Sequence, residues 1–201
     1  SIRHKVSIIL ISPDKYFISI FIKSKGFIPF SISMTVINSE PFKSKFLLFI
    51  LSLNCKGKIV FAGIGKSGLI ARKISATFSS VGIPSFFCDP AQALHGDMGQ
   101  IEKKDILIIF SYSGNTLELS NMLKYANRYR IKIIGVASKP DSILLKASDI
   151  KIILPKVKEA DLTGMVPTSS TSMTLLLGDC LATTVMSQRK FTKEKFKVFH
   201  P

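Results

Sequence analysis

The chain has no tryptophan, and its three cysteines, Cys55, Cys88 and Cys180, are too few and too scattered for a disulfide framework. They form no CxxC pair of the kind zinc ribbons use, and the pattern suits a reducing cytoplasm. Acidic residues are scarce: 13 Asp+Glu face 28 Lys+Arg, for a formal charge of +15. Long apolar runs are missing too, since none reaches the roughly 18 uncharged residues a membrane helix requires. Arg3, His4 and Lys5 before the short apolar stretch 6–11 imitate the start of a signal peptide, but no A-x-A cleavage site follows. What is present is 46% hydrophobic residues in 201 positions, which excludes an acidic disordered chain and suits one globular domain with or without an appendage.

The positive charge raises the question of a nucleic-acid partner. It is spread along the chain, with 7 basic and 2 acidic residues in 1–54 and 21 and 11 in 55–201. There is no alternation of aromatic and basic residues, no zinc finger and no clear helix-turn-helix, so a solvated lysine-rich surface is the reading and no nucleic-acid partner is expected. Residues 1–54 differ from the rest: apolar runs at 6–11, 17–22 and 27–37 are interrupted by Pro13, Lys15, Lys23, Lys25 and Pro29. Alternation across 26–37 reads as strand, 46–53 reads as strand or helix, and nothing here carries recognisable chemistry.

From Lys58 onward, apolar strands at 59–62, 85–88, 106–110, 131–137 and 150–154 alternate with helical patterns at 67–80, 116–129 and 142–147, and a longer helix follows at 169–187. That alternation predicts a parallel sheet with helices on both faces, whose ligand lies beyond the carboxyl ends of the strands. Three motifs fall at that rim. Gly63-Ile64-Gly65-Lys66-Ser67-Gly68 leaves a strand and opens a helix, where glycines admit close backbone approach and free N–H groups favour an anion. It satisfies G-x-G-x-x-G with Asp89 lying 21 positions after Gly68, so a dinucleotide fold stays open; it is not a Walker loop, because Val60 stands where that motif needs glycine. Ser111-Tyr112-Ser113-Gly114-Asn115-Thr116 and Pro167-Thr168-Ser169-Ser170-Thr171 each open a further helix with hydroxyls. One such start is explained by capping; three on one sheet read as a sugar-phosphate pocket.

The stretch from about Cys55 to Pro201 resembles the sugar isomerase (SIS) domain of the arabinose-5-phosphate isomerase family. GIGKSG at 63–68, FFCDPAQALHGDMG at 86–99, SYSGNT at 111–116, KPDS at 139–142, Glu159 before MVPTSST at 165–171, GDCLA at 178–182 and FHP at 199–201 carry the resemblance. It implies a three-layer αβα sandwich around a five-stranded parallel sheet over residues 55–201, preceded by an atypical segment, 1–54. It also implies a cytoplasmic homotetramer that interconverts ribulose 5-phosphate and arabinose 5-phosphate, on the way to the Kdo sugar of lipopolysaccharide, without cofactor.

Aldose–ketose isomerisation moves a proton between adjacent carbons through an enediolate, so it needs a base and a donor for the developing oxyanion. The resemblance matches Lys66, Glu118, Glu159 and His200 to the family's catalytically relevant residues, and His95 to a histidine that contacts substrate. Glu159 is assigned as base, His200 to ring opening or proton relay, Lys66 as the electrostatic group and Glu118 as second acid or orienter. Gly65, Ser67, Ser111, Ser113, Thr116, Thr168 and Ser169 are expected to bind substrate. The chain also departs from the family: Asp89 stands where a histidine that can bind zinc usually precedes the proline, and no metal is expected. Glu159-Ala160-Asp161-Leu162 replaces Glu-Ala-Cys-Pro, and residues 1–54 do not resemble the family's acidic leading helices. Long members continue past the position of His200 into a pair of cystathionine-β-synthase-type domains, which the sequence to Pro201 does not contain.

Overall fold

A computed structural model describes residues 57–200 and, in the N-terminal quarter, the backbone of β1 (Lys5–Ile8), β2 (Ser19–Lys23) and β3 (Phe30–Ser33). The chain divides into two units, Ser1–Ser52 and Leu53–Pro201. In the first, the three strands pair antiparallel in the order β1-β2-β3, with Lys5 opposite Lys23 and Ile20 opposite Ile32. β3 falls within the alternating stretch 26–37; residues 46–53 lie outside the described residues.

The second unit is built on β4 (Ile59–Gly63), β5 (Ser85–Phe87), β6 (Ile106–Phe110), β7 (Lys132–Ala137) and β8 (Ile150–Ile153). All pair parallel in the order β5-β4-β6-β7-β8. β4 and β6 are buried along their whole length, which is why they read as continuous apolar runs and not as alternation. The helices are α1 (Gly65–Ser80), α2 (Leu119–Arg128), α3 (Ile143–Ala147), α4 (Ser169–Gln188) and α5 (Lys193–Phe199).

Successive strand residues face opposite layers. Phe61 of β4 meets Phe78 of α1 edge-on at 5.0 Å and stacks on Phe110 of β6 at 6.2 Å, making the core between the sheet and α1. Val60, Ala62, Leu107 and Ile109 point the other way, into a cluster with Leu119, Met122 and Leu123 of α2 and Leu144 and Leu145 of α3. α4 joins α1 on the first face, where Gly178 meets the side chain of Ile74 so closely that a Cβ would not fit. The result is the expected three-layer αβα sandwich. At the amino ends of the strands, Asp105 is buried, accepts the N–H of Lys58 at 2.8 Å and pairs with its ammonium at 3.0 Å; Asp149 accepts the N–H of Ile133 at 2.8 Å. The carboxyl ends are left to loops.

One helix start and three short elements differ from the sequence reading. α2 begins at Leu119, because residues 116–118 form turns, with Thr116 Oγ1 bonded to Ser111 at 2.8 Å. Glu118 is consequently the residue before the helix, exposed and without a capping hydrogen bond. α5, capped by Thr192, and two 3-10 turns at Gln92–His95 and Asp97–Gln100 were not anticipated.

Candidate functional site

In this strand order the chain leaves β4 toward one edge of the sheet and β6 toward the other, so a crevice opens between their carboxyl ends. The three glycines of the 63–68 loop have separate jobs. Gly65 takes φ +58°, the left-handed turn from strand to helix. At Gly68 a Cβ would lie 2.6 Å from the carbonyl oxygen of Gly63, so only glycine lets α1 start this close to β4. Gly63 is similarly confined, since a Cβ there would lie 3.0 Å from the carbonyl oxygen of Phe110.

The loop after β6 is held from within. Ser111 is buried, and its hydroxyl accepts the Gly114 N–H at 3.1 Å while bonding Thr116. Gly114 adopts φ +68° over the side chain of Ser142, where a Cβ would collide. Asn115 Oδ1 accepts the Ile143 N–H at 3.0 Å, and Leu144 N–H reaches the Gly114 carbonyl at 3.0 Å, so α3 buttresses the loop. Tyr112 reaches outward: its hydroxyl accepts the Val157 N–H at 2.9 Å and donates to the Pro155 carbonyl at 3.3 Å, fixing the segment that leads to Glu159.

Glu159 is bonded to the start of α4. Its Oε2 accepts the N–H of Thr168 at 2.8 Å and of Ser170 at 3.2 Å, and the Thr168 hydroxyl at 3.1 Å. Burial pushes this carboxyl up, but the donors of Ser170 and Thr168 together outweigh it, and the group is held below the usual carboxylate range. It is therefore ionised at neutral pH and closes the free end of the helix.

These elements enclose a cavity of about 510 Å³. Lys66 and Ser67 line it from the first loop, Ser111, Ser113 and Thr116 from the second, and Glu159 from the third; six of the residues expected from the sequence meet here. Ser170, Thr171 and Thr174 of α4 also line it, as do Tyr112, Gly164 and Met165. The α4 set had a signal in the sequence: hydroxyls at 170, 171 and 174 follow the helical repeat. Thr168 backs the cavity through Glu159. Ser169 is buried with an unpartnered hydroxyl and is not among the lining residues.

The remaining expected residues stand elsewhere. Gly65 shares with Lys66 a second cavity of about 440 Å³ on the β5 side of α1, lined also by Arg72, Phe87 and Asp89. Arg72 lies over the Phe87 ring at 4.9 Å. Glu118 and His95 are exposed and line neither cavity. His200 is exposed beyond α5, stacked on Phe196 at 3.8 Å with Nδ1 at 3.0 Å from the Phe196 carbonyl. Phe191 and Phe199 flank Gly82, at the C-terminal end of α1, so α5 and the first cavity are separated by the length of that helix, about 24 Å for 16 residues.

The position matching the family's zinc-binding histidine does not fit a metal. Asp89 Oδ1 accepts the N–H of Ala91 at 2.9 Å and of Gln92 at 3.4 Å, and the Cys88 thiol is pushed up to about 11 by burial, with Asp97 and Asp89 adding to it. Asp161, the other departure, is satisfied: Thr163, Met165 and Val166 donate to its carboxylate. Among the described residues no helix is long and apolar enough to cross a membrane.

Comparison with known proteins agrees with the fold. An arabinose 5-phosphate isomerase of Pseudomonas aeruginosa is 44% identical over 151 residues, 75% of this chain and 46% of its own. An uncharacterised protein of Rickettsia prowazekii is 45% identical over 158 residues, 79% of this chain and 49% of its own. The chain thus spans about half the length of the curated relatives it matches. A structure of an Escherichia coli CFT073 protein in complex with arabinose 5-phosphate superposes with a TM-score of 0.77 and 38% identity, covering 83% of this chain and 88% of that one. The SIS domain matches residues 52–184, and the chain belongs to the SIS-domain family.

Proposed function

We propose that the chain is an aldose–ketose sugar-phosphate isomerase that converts D-ribulose 5-phosphate to D-arabinose 5-phosphate through an enediolate, in the cytoplasm and toward the Kdo sugar of lipopolysaccharide. One observation carries this reading: four hydroxyls, an ammonium and an ionised carboxylate share one cavity, in Ser67, Ser111, Ser113, Thr116, Lys66 and Glu159. Hydroxyls and the N–H groups at the start of α1 hold the phosphate. Glu159, unprotonated at neutral pH, takes a proton from C1, next to the C2 carbonyl, and returns it to C2, while the proton of the C1 hydroxyl passes to the C2 oxygen. Lys66 offsets the charge on the enediolate oxygen. The relatives named as arabinose 5-phosphate isomerases and the sugar-phosphate complex of the Escherichia coli protein support the substrate class.

His200, His95 and Glu118 stand outside this cavity, so their part in the reaction requires a second copy of the chain. We propose a homotetramer in which one subunit completes another's site. Exposed apolar side chains beside cavity residues support it: Leu117 follows Thr116, Val166 follows Met165, and Met165 itself is exposed. The same separation favours a second reading, a sugar-phosphate-binding module without turnover. One experiment distinguishes them: measure the mass of the purified chain and follow ribulose 5-phosphate conversion without added metal or nucleotide. Turnover by an oligomer is expected. Ligand binding by a folded chain without turnover would overturn the isomerase reading and select the binding module.

A further inference from the structure

Residues 161–166 border the cavity through Gly164 and Met165, yet no apolar burial holds them: Leu162 is 99% exposed, Met165 76% and Val166 53%. The segment is instead tied to one carboxylate. Thr163 donates its N–H to Asp161 Oδ2 at 3.0 Å and its hydroxyl to the same oxygen; Met165 N–H reaches that oxygen at 3.3 Å, and Val166 N–H reaches Oδ1 at 3.1 Å. Gly164, at φ +69°, donates to the Asp161 carbonyl at 3.2 Å. Every hydrogen bond within residues 161–166 thus ends on Asp161. The flanks of the segment are tied to each other, Glu159 accepting the Thr168 N–H at 2.8 Å and the Ala160 N–H reaching Thr168 Oγ1 at 2.8 Å.

We propose that Asp161 is a positioning residue: its carboxylate folds residues 163–166 into the turn that presents Gly164 and Met165 to the cavity, and thereby sets how closely a bound sugar phosphate is held, without touching it. The proposal rests on the sugar-phosphate reading of that cavity. Four donors on one carboxylate outnumber what a neutral side chain of similar shape can accept, so the turn opens when the carboxylate is removed.

The test compares the full chain with Asp161→Ala and Asp161→Asn, which keeps one acceptor oxygen. Amide exchange at Thr163, Met165 and Val166 needs no substrate. These amides are expected to exchange at least about tenfold more slowly than in an unstructured chain, to lose that protection in Asp161→Ala and to keep part of it in Asp161→Asn. Unprotected amides in the parent chain, or unchanged protection in Asp161→Ala, would overturn the proposal whatever the cavity binds. In the isomerase assay, KM for ribulose 5-phosphate is expected to rise roughly tenfold in Asp161→Ala with kcat within about twofold, and to recover in part in Asp161→Asn. A fall in kcat at constant KM would instead mean fewer folded molecules and would also overturn it. If the parent chain does not turn over, the isomerase reading fails by itself; calorimetric titration with arabinose 5-phosphate then replaces KM, and amide exchange still decides the turn.

Discussion

Glu159 accepts the backbone N–H of Thr168 at 2.8 Å, so the carboxylate assigned to proton transfer also closes the N-terminus of α4. The proposed function thus joins catalysis and stability in one group. Its position is fixed by a helix end and not by a flexible loop, and the same donors that orient it lower its basicity.

That coupling predicts a pH dependence with a definite sign. The folded carboxyl is held below its unfolded value, so its stabilisation is complete above the ordinary range near pH 4.3 and is lost as pH falls through the lower folded value. Melting temperature should therefore fall more steeply for the parent chain than for Glu159→Gln below about pH 4. At neutral pH Glu159→Gln should melt lower, by the roughly 1 kcal/mol typical of a lost helix cap, and lose at least about a hundredfold in kcat. Calorimetric melts across pH and steady-state rates measure both.

The hydroxyl pair Ser111–Thr116, at 2.8 Å, organises the second loop. Ser111→Ala leaves Gly114 N–H bonded to the Ser111 carbonyl at 2.9 Å, so the fold should survive while sugar-phosphate affinity drops roughly tenfold. The double variant with Thr116→Ala should cost less than the sum of the two, with a coupling on the order of 1 kcal/mol in ligand-binding titrations.

Two glycines should fail for different reasons. Gly68→Ala presses a methyl to 2.6 Å from the Gly63 carbonyl, a backbone atom that cannot swing away, and should destabilise by about 2 kcal/mol or more. Gly65→Ala has open space around its Cβ but keeps φ +58°, and should cost about 1 kcal/mol. Denaturant titrations of the two variants test the order.

A mixing experiment tests the shared site. Lys66→Ala and His200→Ala should each be nearly inactive, while subunits of the two, unfolded and reassembled together, should regain a measurable fraction of activity. No recovery from a mixed oligomer would sink the assignment of His200 to another subunit's cavity.

The strands of the sheet were legible because each is a short apolar run bounded by turn residues; burial on both faces demands that composition in the central β4, β6 and β7, while the edge strands β5 and β8 are only partly buried. α5 was not: its seven residues, KEKFKVF, have no buried side chain and thus no apolar stripe to read. The start of α2 was misread because Thr116 looks like a cap, whereas its hydroxyl is engaged by Ser111. Tyr112 escaped notice as a site residue because its bond to Val157 joins positions 45 residues apart.

The sequence alone determined the chemical inventory at the strand ends: glycines where a helix must start against a strand, hydroxyls on three loops, one lysine and two glutamates near them. Tertiary structure decided which of these meet. Parallel pairing of β4 with β6 brings Lys66 and Ser111 to one crevice, and the bonds from Glu159 to Thr168 and Ser170 hold that carboxylate there with α4. It also decided which do not meet, because α1 is a rigid rod with the cavity at its N-terminus and Gly82, flanked by Phe191 and Phe199, at the other end, so His200 stands a helix length away.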